Sequence, residues 1–534
     1  MTVVNQKMVS TAVLLLVFCL VAGCGGPGGE GTGLAPASDL GPTIGSLADF
    51  VTPASIGVEG YGLVGGLRGT GSAECPTQIR AYLVRYILTQ LPGEKIDPDK
   101  LISSLNTAVV RVDGVMPTVA WKNQHFDVRI SALPGTQTTS LEHGWLYRAE
   151  LKATGTFGLA TRIVANAEGA VFIDKTGAAA LDERTGYVLA GGEAADEYRM
   201  NLEVRNPNYE RTSRIRNRLN ERFGYDTARA ASPSRIELTV PARYRGREQR
   251  FVAMASATYL DQTPELINRR VMAFVRQLAV SPDKDAAEIA LEAIGKHSLR
   301  KLPVLLSSSD EEVRFRAARC MLNLGSERGL QTLREIAMDR GSAYRLQALE
   351  AITAGAGRNH AAAIARRLLL DEDVDVQLGA YEQLRRLDDM VLTRVTVGRR
   401  FFLEQIAQSR DKVIFAARSG RPRIVLFGAP ILCRDEIFVQ SADGEIIINA
   451  PAGQRYVSVI RRHPKRPDAV VQLKSSFDLA DIIRTLCAEP LGNAEEGPRG
   501  LGVSYADVIA LVKQMCDKGA VRARFRAGPL PKIG

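Results

Sequence analysis

The sequence is poor in the side chains that most often carry out chemistry. It has only five histidines, and none stands in an H-E-x-x-H pattern or in another paired spacing that would hold zinc. Aromatic residues make up 6% of the chain, with two tryptophans, so a platform of rings that stacks on nucleic-acid bases is not expected. The sequence therefore predicts no catalytic residue, no metal, no cofactor and no nucleic-acid partner.

Cysteines are also few. The chain has seven and lacks a C-x-x-C pair, which argues against a disulfide-rich scaffold. Five cysteines follow Cys24, namely Cys75, Cys320, Cys433, Cys487 and Cys516. We interpret them as buried or idle thiols; at most two pairs could form, and one bridge near the C-terminus is an alternative whose partners the sequence does not assign.

Long apolar runs are scarce too, and the prominent one lies at the N-terminus. It extends from Val9 to Ala22 after Lys7, is too short to span a bilayer comfortably, and is typical of a signal peptide. It ends in Leu-Val-Ala-Gly-Cys24, which resembles a bacterial lipobox, where the thiol takes a diacylglyceryl group. We predict a signal peptide at 1–23, lipidation of Cys24 and outer-membrane sorting; the alternative is an ordinary secretory signal with a chance cysteine.

The segment 24–50 is rich in glycine and proline and has almost no apolar periodicity, which predicts a flexible tether. The net charge of the whole chain is +10. Outside the cytoplasm, such a charge favours anionic glycans, lipid headgroups or acidic protein surfaces as partners.

Residues 51–262 alternate short β-branched runs, glycine-rich turns and two amphipathic helices, which predicts an α+β fold. Strands are expected at 108–112, 126–130 and 145–151. One helix is expected from Pro76, a favoured first helical position, and the other after Pro207, ending at Gly224. One face of the second helix carries four arginines, Arg211, Arg214, Arg218 and Arg222. They are candidates for contact with an anionic partner, and the alternative is a merely solvated helix face.

Residues 263–395 change to helix after helix. Alanines recur at Ala290, Ala318, Ala348 and Ala380, with spacings of 28, 30 and 32 residues. This internal repeat resembles short HEAT-like repeats and predicts an all-α solenoid. Ser309 with Glu312 predicts a capping box, and the acidic string 371–375 predicts a helix cap rather than a calcium loop.

Residues 396–534 return to a mixed pattern. Strands are predicted at 413–416, 424–427 and 445–449. Two closing helices are predicted, one from about Asp478 and the other from the capping pair Ser504 and Asp507. The fold class is therefore α+β, interrupted by the helical solenoid.

A glycine-rich string at 60–71 contains G-x-G-x-x-G, the pattern of dinucleotide-binding loops. Such a loop must open a helix so that its amides meet the pyrophosphate, and Gly66, Gly69 and Gly71 would break a helix there. We therefore reject a nucleotide site.

The same string, G-Y-G-L-V-G-G-L-R-G-T-G, closely resembles a signature of the bacterial flagellar P-ring family. Further matches follow in the same order at 107–112, 126–131, 202–209, 240–246, 418–428 and 501–526. The resemblance implies a non-catalytic subunit that closes into a homo-oligomeric periplasmic ring around the flagellar rod at the peptidoglycan layer. Its implied partners are the rod, other basal-body ring proteins and peptidoglycan; a lipid anchor and a helical repeat are departures from the family pattern.

Ring assembly needs complementary subunit surfaces, and glycines let backbones approach closely. The candidate assembly residues are Gly60, Tyr61, Gly62, Leu63, Gly65, Gly66, Leu67, Arg68, Gly69 and Gly71. An alternative function is a lipoprotein adaptor that binds a partner through its helical repeats. An enzyme is disfavoured: Ser281–Lys284 matches S-x-x-K and Lys175–Gly177 matches K-T-G, but their order is reversed and S-D-N is missing.

Overall fold

The described part of the chain begins after the predicted signal peptide. The computed structural model describes residues 40–51, 55–90, 97–117, 119–155, 162–177, 182–197, 199–398, 401–463, 466–488 and 500–533. Cys24 and most of the predicted tether lie outside these residues. None of the described helices combines the length and the apolar character that a membrane span needs.

A six-stranded barrel forms the first large unit. The chain enters it through helix α1 (Ile44–Leu47) and strand β1 (Ala48–Val51). The barrel strands are β2 (Ile56–Gly65), β3 (Ala108–Met116), β4 (His125–Ala132), β5 (Trp145–Ala153), β6 (Ala165–Ala170) and β7 (Thr185–Ala194). They close in the order β2-β3-β4-β7-β6-β5, with every pair antiparallel. Alternate β-branched side chains, such as Val110, Val112, Val128 and Ile130, fill the interior.

Two helices, α2 (Thr77–Gln90) and α3 (Pro98–Ile102), cover the outside of the barrel between β2 and β3. The predicted apolar face of α2, which includes Ile79 and Leu83, packs on Leu63 and Val109 of the barrel wall. The wall is therefore apolar on both faces where α2 lies.

A small sheet with two helices follows. Its elements are β8 (Met200–Val204), α4 (Tyr209–Phe223), β9 (Ala228–Ala230), β10 (Arg235–Leu238) and α5 (Glu248–Ser256). The strands pair antiparallel in the order β1-β8-β10-β9. The Asn208 side chain caps α4 by accepting from the Glu210 amide at 2.7 Å, and α4 ends at Gly224, whose φ is +119°.

The helical segment consists of α6 (Pro264–Val280), α7 (Lys284–Ile294), α8 (Glu311–Asn323), α9 (Arg328–Met338), α10 (Arg345–Gly355), α11 (Arg358–Leu368) and α12 (Val374–Arg386). Two 3-10 turns, Lys296–Arg300 and Leu302–Ser307, stand between α7 and α8. The four recurring alanines fall on α7, α8, α10 and α12, and all four are buried. One repeat is therefore one helix pair, and the small side chain lets neighbouring pairs pack closely.

The caps in this segment differ in one place from the sequence prediction. The capping box at Ser309 is wrong by one residue: Asp310 caps α8, and its carboxylate accepts from the amides of Glu312 and Val313. Because the Asp310 carboxylate reaches two amides of the first helical turn, α8 begins after Asp310 rather than after Ser309. Asp373 caps α12, as predicted for the acidic string.

The last part contains two sheets and two helices. Its elements are β11 (Thr393–Val397), β12 (Phe401–Ile406), β13 (Val413–Ala416), β14 (Arg423–Phe427), β15 (Ile437–Gln440), β16 (Ile446–Ala450), β17 (Val457–His463), β18 (Arg466–Ser475), α13 (Leu479–Cys487), α14 (Tyr505–Asp517) and β19 (Arg524–Ala527). One sheet has the order β11-β12-β14-β13-β19, and the other runs from β15 to β18. Asp478 and Ser504 cap α13 and α14 as predicted.

The five-stranded sheet lies between the other parts. Val425 and Phe427 on one face pack with Tyr381 of α12, whereas Leu403 and Ile424 belong to the core that holds α13 and α14. The predicted fold class, α+β interrupted by a helical solenoid, is confirmed. Within the described residues, the five cysteines that follow the tether form no disulfide, so the bridge considered near the C-terminus is not present there.

Candidate functional site at the junction of the barrel and the C-terminal sheets

Half of the glycine-rich string predicted as an assembly segment is a strand of the barrel wall. Its first half is β2, which pairs with β3 along its whole length and with β5 at both ends. A Cβ atom at Gly60 would collide with the Glu150 carbonyl, and one at Gly62 would come within 2.9 Å of the Leu146 side chain. These glycines therefore let two strands approach closely inside one subunit.

The side chains of this string have different environments. Leu63 and Leu67 are buried in the chain's own core, so they are not available to a neighbouring subunit. Tyr61 is half-buried beside α2. Gly66 and Gly69 are exposed and have positive φ, which marks the turn that carries Arg68.

Arg68 joins the barrel to the C-terminal part. Its guanidinium donates to both oxygens of the Glu445 carboxylate, at 3.0 and 2.9 Å. Both contacts come from one nitrogen, Nη1, and both side chains are partly buried, which makes this charged pair stronger than an exposed one.

Two further contacts cross the same junction. The Asp127 carboxylate accepts from the Gly420 amide at 2.8 Å and from the Ala190 amide at 2.7 Å. Arg418 donates to Asp174 at 2.7 Å. Barrel strands and C-terminal loops thus share charge-assisted hydrogen bonds that fix their relative position.

A cluster of four titratable side chains lies at the centre of the junction. Lys175 pairs with Glu142 and donates to Asp507 at 2.6 Å. The His143 ring lies 3.3 Å from Glu142 and 3.8 Å from Asp507. The Ser504 hydroxyl, which caps α14, donates to Asp507 at 2.5 Å.

Lys175 supplies the positive charge between the two carboxylates of this cluster. Burial works against the charge on Lys175, but Asp507 and Glu142 outweigh it, so the pKa of the ammonium is raised above its usual value. The donor atoms of Glu142, His143 and Asp507 lie within 4.8 Å of one another, close enough for a metal ion. The ammonium of Lys175 occupies the position of the counter-charge, so the cluster serves as a clamp between the two parts.

A cavity of about 640 Å³ opens beside the clamp. Phe172, Leu189 and Tyr505 are among the residues that line it, and Trp145 and Arg461 lie at its wall. The Phe172 and Tyr505 rings, one from each part, lie 5.9 Å apart. The apolar contact and the ion pairs therefore hold the same junction.

The four arginines of α4 bind mainly within the chain. Arg222 donates to the Ala293 and Glu292 carbonyls at the end of α7, and burial lowers the pKa of its guanidinium. Arg218 donates to the Tyr259 carbonyl at 3.0 Å.

The other two arginines of α4 lie nearer to solvent. Arg214 pairs with Asp261 at 2.9 Å, and Arg211 donates to the carbonyls of Arg205 and Asn206. Arg211 and Arg214 remain the accessible candidates for an anionic contact.

Glu142 and Asp507 were not predicted as site residues, and Lys175 was considered only as part of a rejected motif. These residues come from three segments that are far apart in the chain; Lys175 and Asp507 are separated by 332 residues. No local pattern marks such a cluster. The capping pair Ser504 and Asp507 was predicted, but only as the start of a helix.

Comparison with known proteins identifies relatives of two parts of the chain. The family model described as "Flagellar P-ring protein" matches residues 43–273, and the one described as "HEAT repeats" matches residues 271–353. The first match covers the barrel and the small sheet, and the second begins within α6. The resemblance to flagellar P-ring proteins and the presence of HEAT-like repeats are therefore confirmed.

Curated relatives agree with the first match. A flagellar P-ring protein of Thiobacillus denitrificans is 29% identical over 42% of this chain and 65% of its own length. One from Nitrosomonas europaea is 29% identical over 50% of this chain and 78% of its own length. One from Helicobacter pylori is 28% identical over 38% of this chain and 58% of its own length. The chain thus spans somewhat less than two thirds of the first of these relatives.

Proposed function

We propose that this chain is a structural subunit of a flagellar P ring, a periplasmic homo-oligomeric ring around the rod at the peptidoglycan layer, and that it is not an enzyme. The observation that carries the proposal is the match of residues 43–273 to flagellar P-ring proteins, which includes the whole barrel and the small sheet. The rod, other basal-body ring proteins and peptidoglycan are its proposed partners.

The junction supports a structural role. A ring subunit must keep its two interacting faces at a fixed angle, because a heterologous interface closes only for one rotation between neighbours. The pair of Arg68 with Glu445 and the Lys175 clamp hold the barrel and the C-terminal sheets in one orientation. The Ser504 hydroxyl donates to Asp507 rather than to a histidine base, which is a structural rather than a nucleophilic arrangement.

Electron microscopy of the purified chain from residue 24 onward tests the proposal directly. We expect closed annuli of uniform diameter. A chain that stays monomeric at every protein concentration and salt concentration would overturn the ring assignment.

The assembly role of the glycine-rich string now rests on its exposed turn, Gly66 to Gly69, and on Tyr61. The variants Arg68→Ala and Glu445→Ala remove the two halves of one intramolecular pair. If Arg68 also contacts a neighbouring subunit, its variant should abolish annuli while the Glu445 variant keeps them. Equal behaviour of the two would limit Arg68 to a role within the subunit.

We propose further that Cys24 carries a lipid that anchors the chain to the outer membrane from its periplasmic side. The lipobox-like string at 20–24 supports this. Mass spectrometry of the N-terminal peptide from the native envelope should show a diacylglyceryl cysteine, and Cys24→Ser should release the protein into the soluble fraction. A first residue other than Cys24 would contradict the assignment.

An adaptor function through the helical repeats is the second candidate. Exposed cations on α9 and α11, namely Arg328, Arg334 and Arg367, have no ion-pair partner among the described residues, which favours an acidic protein partner. Reversing their charges should leave annuli and motility unchanged if the chain is only a ring subunit. Loss of a co-purifying protein without loss of annuli would favour the adaptor.

A further inference from the structure

The first helix of the repeat segment carries an exposed stripe of alternating cationic and apolar residues. Arg269, Met272, Arg276 and Val280 follow one another at helical spacing on α6. Met272 is 51% exposed and Val280 is 70% exposed. Most apolar residues of a helix like this face the core, so these two need a separate explanation.

The two 3-10 turns that pack against α6 add more of the same chemistry. Lys296, Arg300 and Lys301 are exposed, and so is Val304 at 68%. We name α6 together with these turns the α6 face. Its exposed acid is Glu265 in the first helical turn, where negative charge also suits the helix dipole.

The cations of the α6 face differ from those that lie between α5, α7 and α8. Arg250, Arg316 and Arg319 all reach the buried carboxylate of Glu288. Within the described ranges, by contrast, no carboxylate pairs with Arg269 or Arg276. The α6 face therefore presents uncompensated positive charge to its surroundings.

The chain leading back to Cys24 begins at the same helix. Arg270, which is fully buried in α6, donates to the Leu40 carbonyl at 2.7 Å and to the Asp261 carbonyl at 2.6 Å. Its guanidinium lies 3.8 Å from the centre of the Tyr259 ring. Leu40 is thus fixed to α6, and Cys24 stands sixteen residues before it.

This attachment limits how far α6 can be from an anchored Cys24. Sixteen residues span at most about 55 Å when fully extended, and a flexible chain of that length has a shorter average reach of roughly 20–25 Å. If Cys24 lies in a bilayer, Leu40 and the part of α6 that holds it lie within that reach of the bilayer.

We propose that the α6 face lies on the surface of an anionic lipid bilayer, with its lysines and arginines at the headgroups and Met272 and Val280 in the interfacial layer. Alternating cations and apolar side chains suit such a surface. Each cation is attracted by the negative surface potential, and each apolar side chain is removed from water. The inference concerns a contact that ring assembly does not require.

Vesicle co-sedimentation tests this with the chain from residue 24 onward carrying Cys24→Ser, so that no lipid anchor contributes. Vesicles of phosphatidylcholine alone are compared with vesicles containing an equal part of phosphatidylglycerol. We expect binding to the anionic vesicles only, and we expect it to weaken as salt is added. Binding equal on both vesicle types, or none on either, would overturn the proposal.

Matched variants separate this face from a general effect of positive charge. Arg269→Glu with Arg276→Glu should lower the affinity for anionic vesicles roughly thirtyfold or more, from about fivefold per cation lost. Arg328→Glu with Arg334→Glu on α9 makes the same charge change on a helix without exposed apolar residues between them, and it should change the affinity by less than about threefold. An equal loss from both pairs would overturn the assignment to α6.

A third variant pair tests the apolar contribution. Met272→Gln with Val280→Gln keeps the charge and does not lower the helix propensity while it removes the apolar side chains, and it should lower the affinity about fivefold. An unchanged affinity would contradict insertion of these side chains. Annulus formation is scored on the same samples, so a failure of lipid binding and a failure of ring assembly are distinguished.

Discussion

Glycine at position 60 shows how one missing side chain allows two strands to pair. Any Cβ there meets the backbone carbonyl of Glu150 on β5, and a backbone atom cannot move away without breaking the barrel. We therefore expect Gly60→Ala to lower the free energy of unfolding by about 1–3 kcal/mol, the usual cost of overpacking. Thermal unfolding followed by circular dichroism measures this.

Gly341 provides the control for that substitution. A Cβ at Gly341 would meet only the Asp339 carboxylate, at 3.5 Å, and the residue is exposed. Gly341→Ala should be neutral or stabilise by roughly 0.4–1 kcal/mol, because alanine restricts the unfolded chain more than glycine does. Equal destabilisation by both variants would contradict the close-approach explanation.

For single residues, the sequence indicated which residue types matter, but it did not indicate which side chains surround them. The glycine string was recognised, but its interpretation as an assembly segment did not anticipate that Leu63 and Leu67 face the chain's own core. Glycines hide the alternation of apolar and polar residues by which a strand is normally found. Lys175 was visible in the sequence, but its partner Asp507 was not, because no local signal links residues so far apart.

Helix α7 connects the repeat segment to the small sheet through one buried carboxylate. Glu288 is fully buried and receives Arg250 of α5 at 2.9 Å and Arg319 of α8 at 2.6 Å. Glu288→Gln would remove the one buried carboxylate that these arginines share, although each keeps a second acidic partner. We therefore expect it to lower the free energy of unfolding by about 3 kcal/mol at pH 7, the lower end of the range for a broken buried ion pair. Thermal unfolding of the helical signal measures this.

The same carboxylate gives a pH dependence with a defined sign. Burial opposes ionisation of Glu288, but Arg319 and Arg250 outweigh it and hold its pKa below the ordinary value of 4.5. A lowered pKa in the folded state stabilises the protein above pH 4.5, and this contribution is lost as the pH falls through the folded-state pKa.

The stability difference between the wild-type chain and Glu288→Gln should therefore be largest near neutral pH and shrink on acidification. Glu265→Gln on the exposed face of α6 is the matched control, and it should change the free energy of unfolding by less than about 0.5 kcal/mol. A difference for Glu288 that does not vary with pH would contradict this account.

Elements were predictable wherever a local rule governs them. The start of α13 at Asp478 and the cap Ser504 were found because a short polar side chain before an apolar run satisfies the first amides of a helix. The recurring alanines located the repeats because close packing needs a small residue at the same place in each pair. The closure of six strands into a barrel was not predicted, since strand order depends on pairings between distant segments.

For the whole molecule, the clamp at the junction decides whether the barrel and the C-terminal sheets move together. Lys175→Met would leave Glu142 and the buried Asp507 close together without a cation between them. We expect a loss of about 3 kcal/mol and faster hydrogen exchange in α14, which begins beside Asp507. Fluorescence of Trp145, which lines the adjacent cavity, should report the same loosening.

Lys513→Met is the control for that variant. Lys513 also lies on α14, but its pair with Asp517 is exposed, so its loss should cost less than about 0.5 kcal/mol. Adding Asp507→Asn to Lys175→Met should recover part of the lost stability, because it removes the repulsion between the two carboxylates. Equal effects of Lys175→Met and Lys513→Met would show that the clamp does not hold the junction.

The position of the repeats between the two halves of this junction also sets an order of events when the chain folds. Helix pairs close over short loops and can form within microseconds. The contact between Lys175 and Asp507 joins residues that are 332 positions apart, so we expect it to form later. The barrel wall around Phe172 therefore stays open to water until α14 has arrived. During that interval the newly made protein exposes an apolar surface, which makes it a natural client for a chaperone.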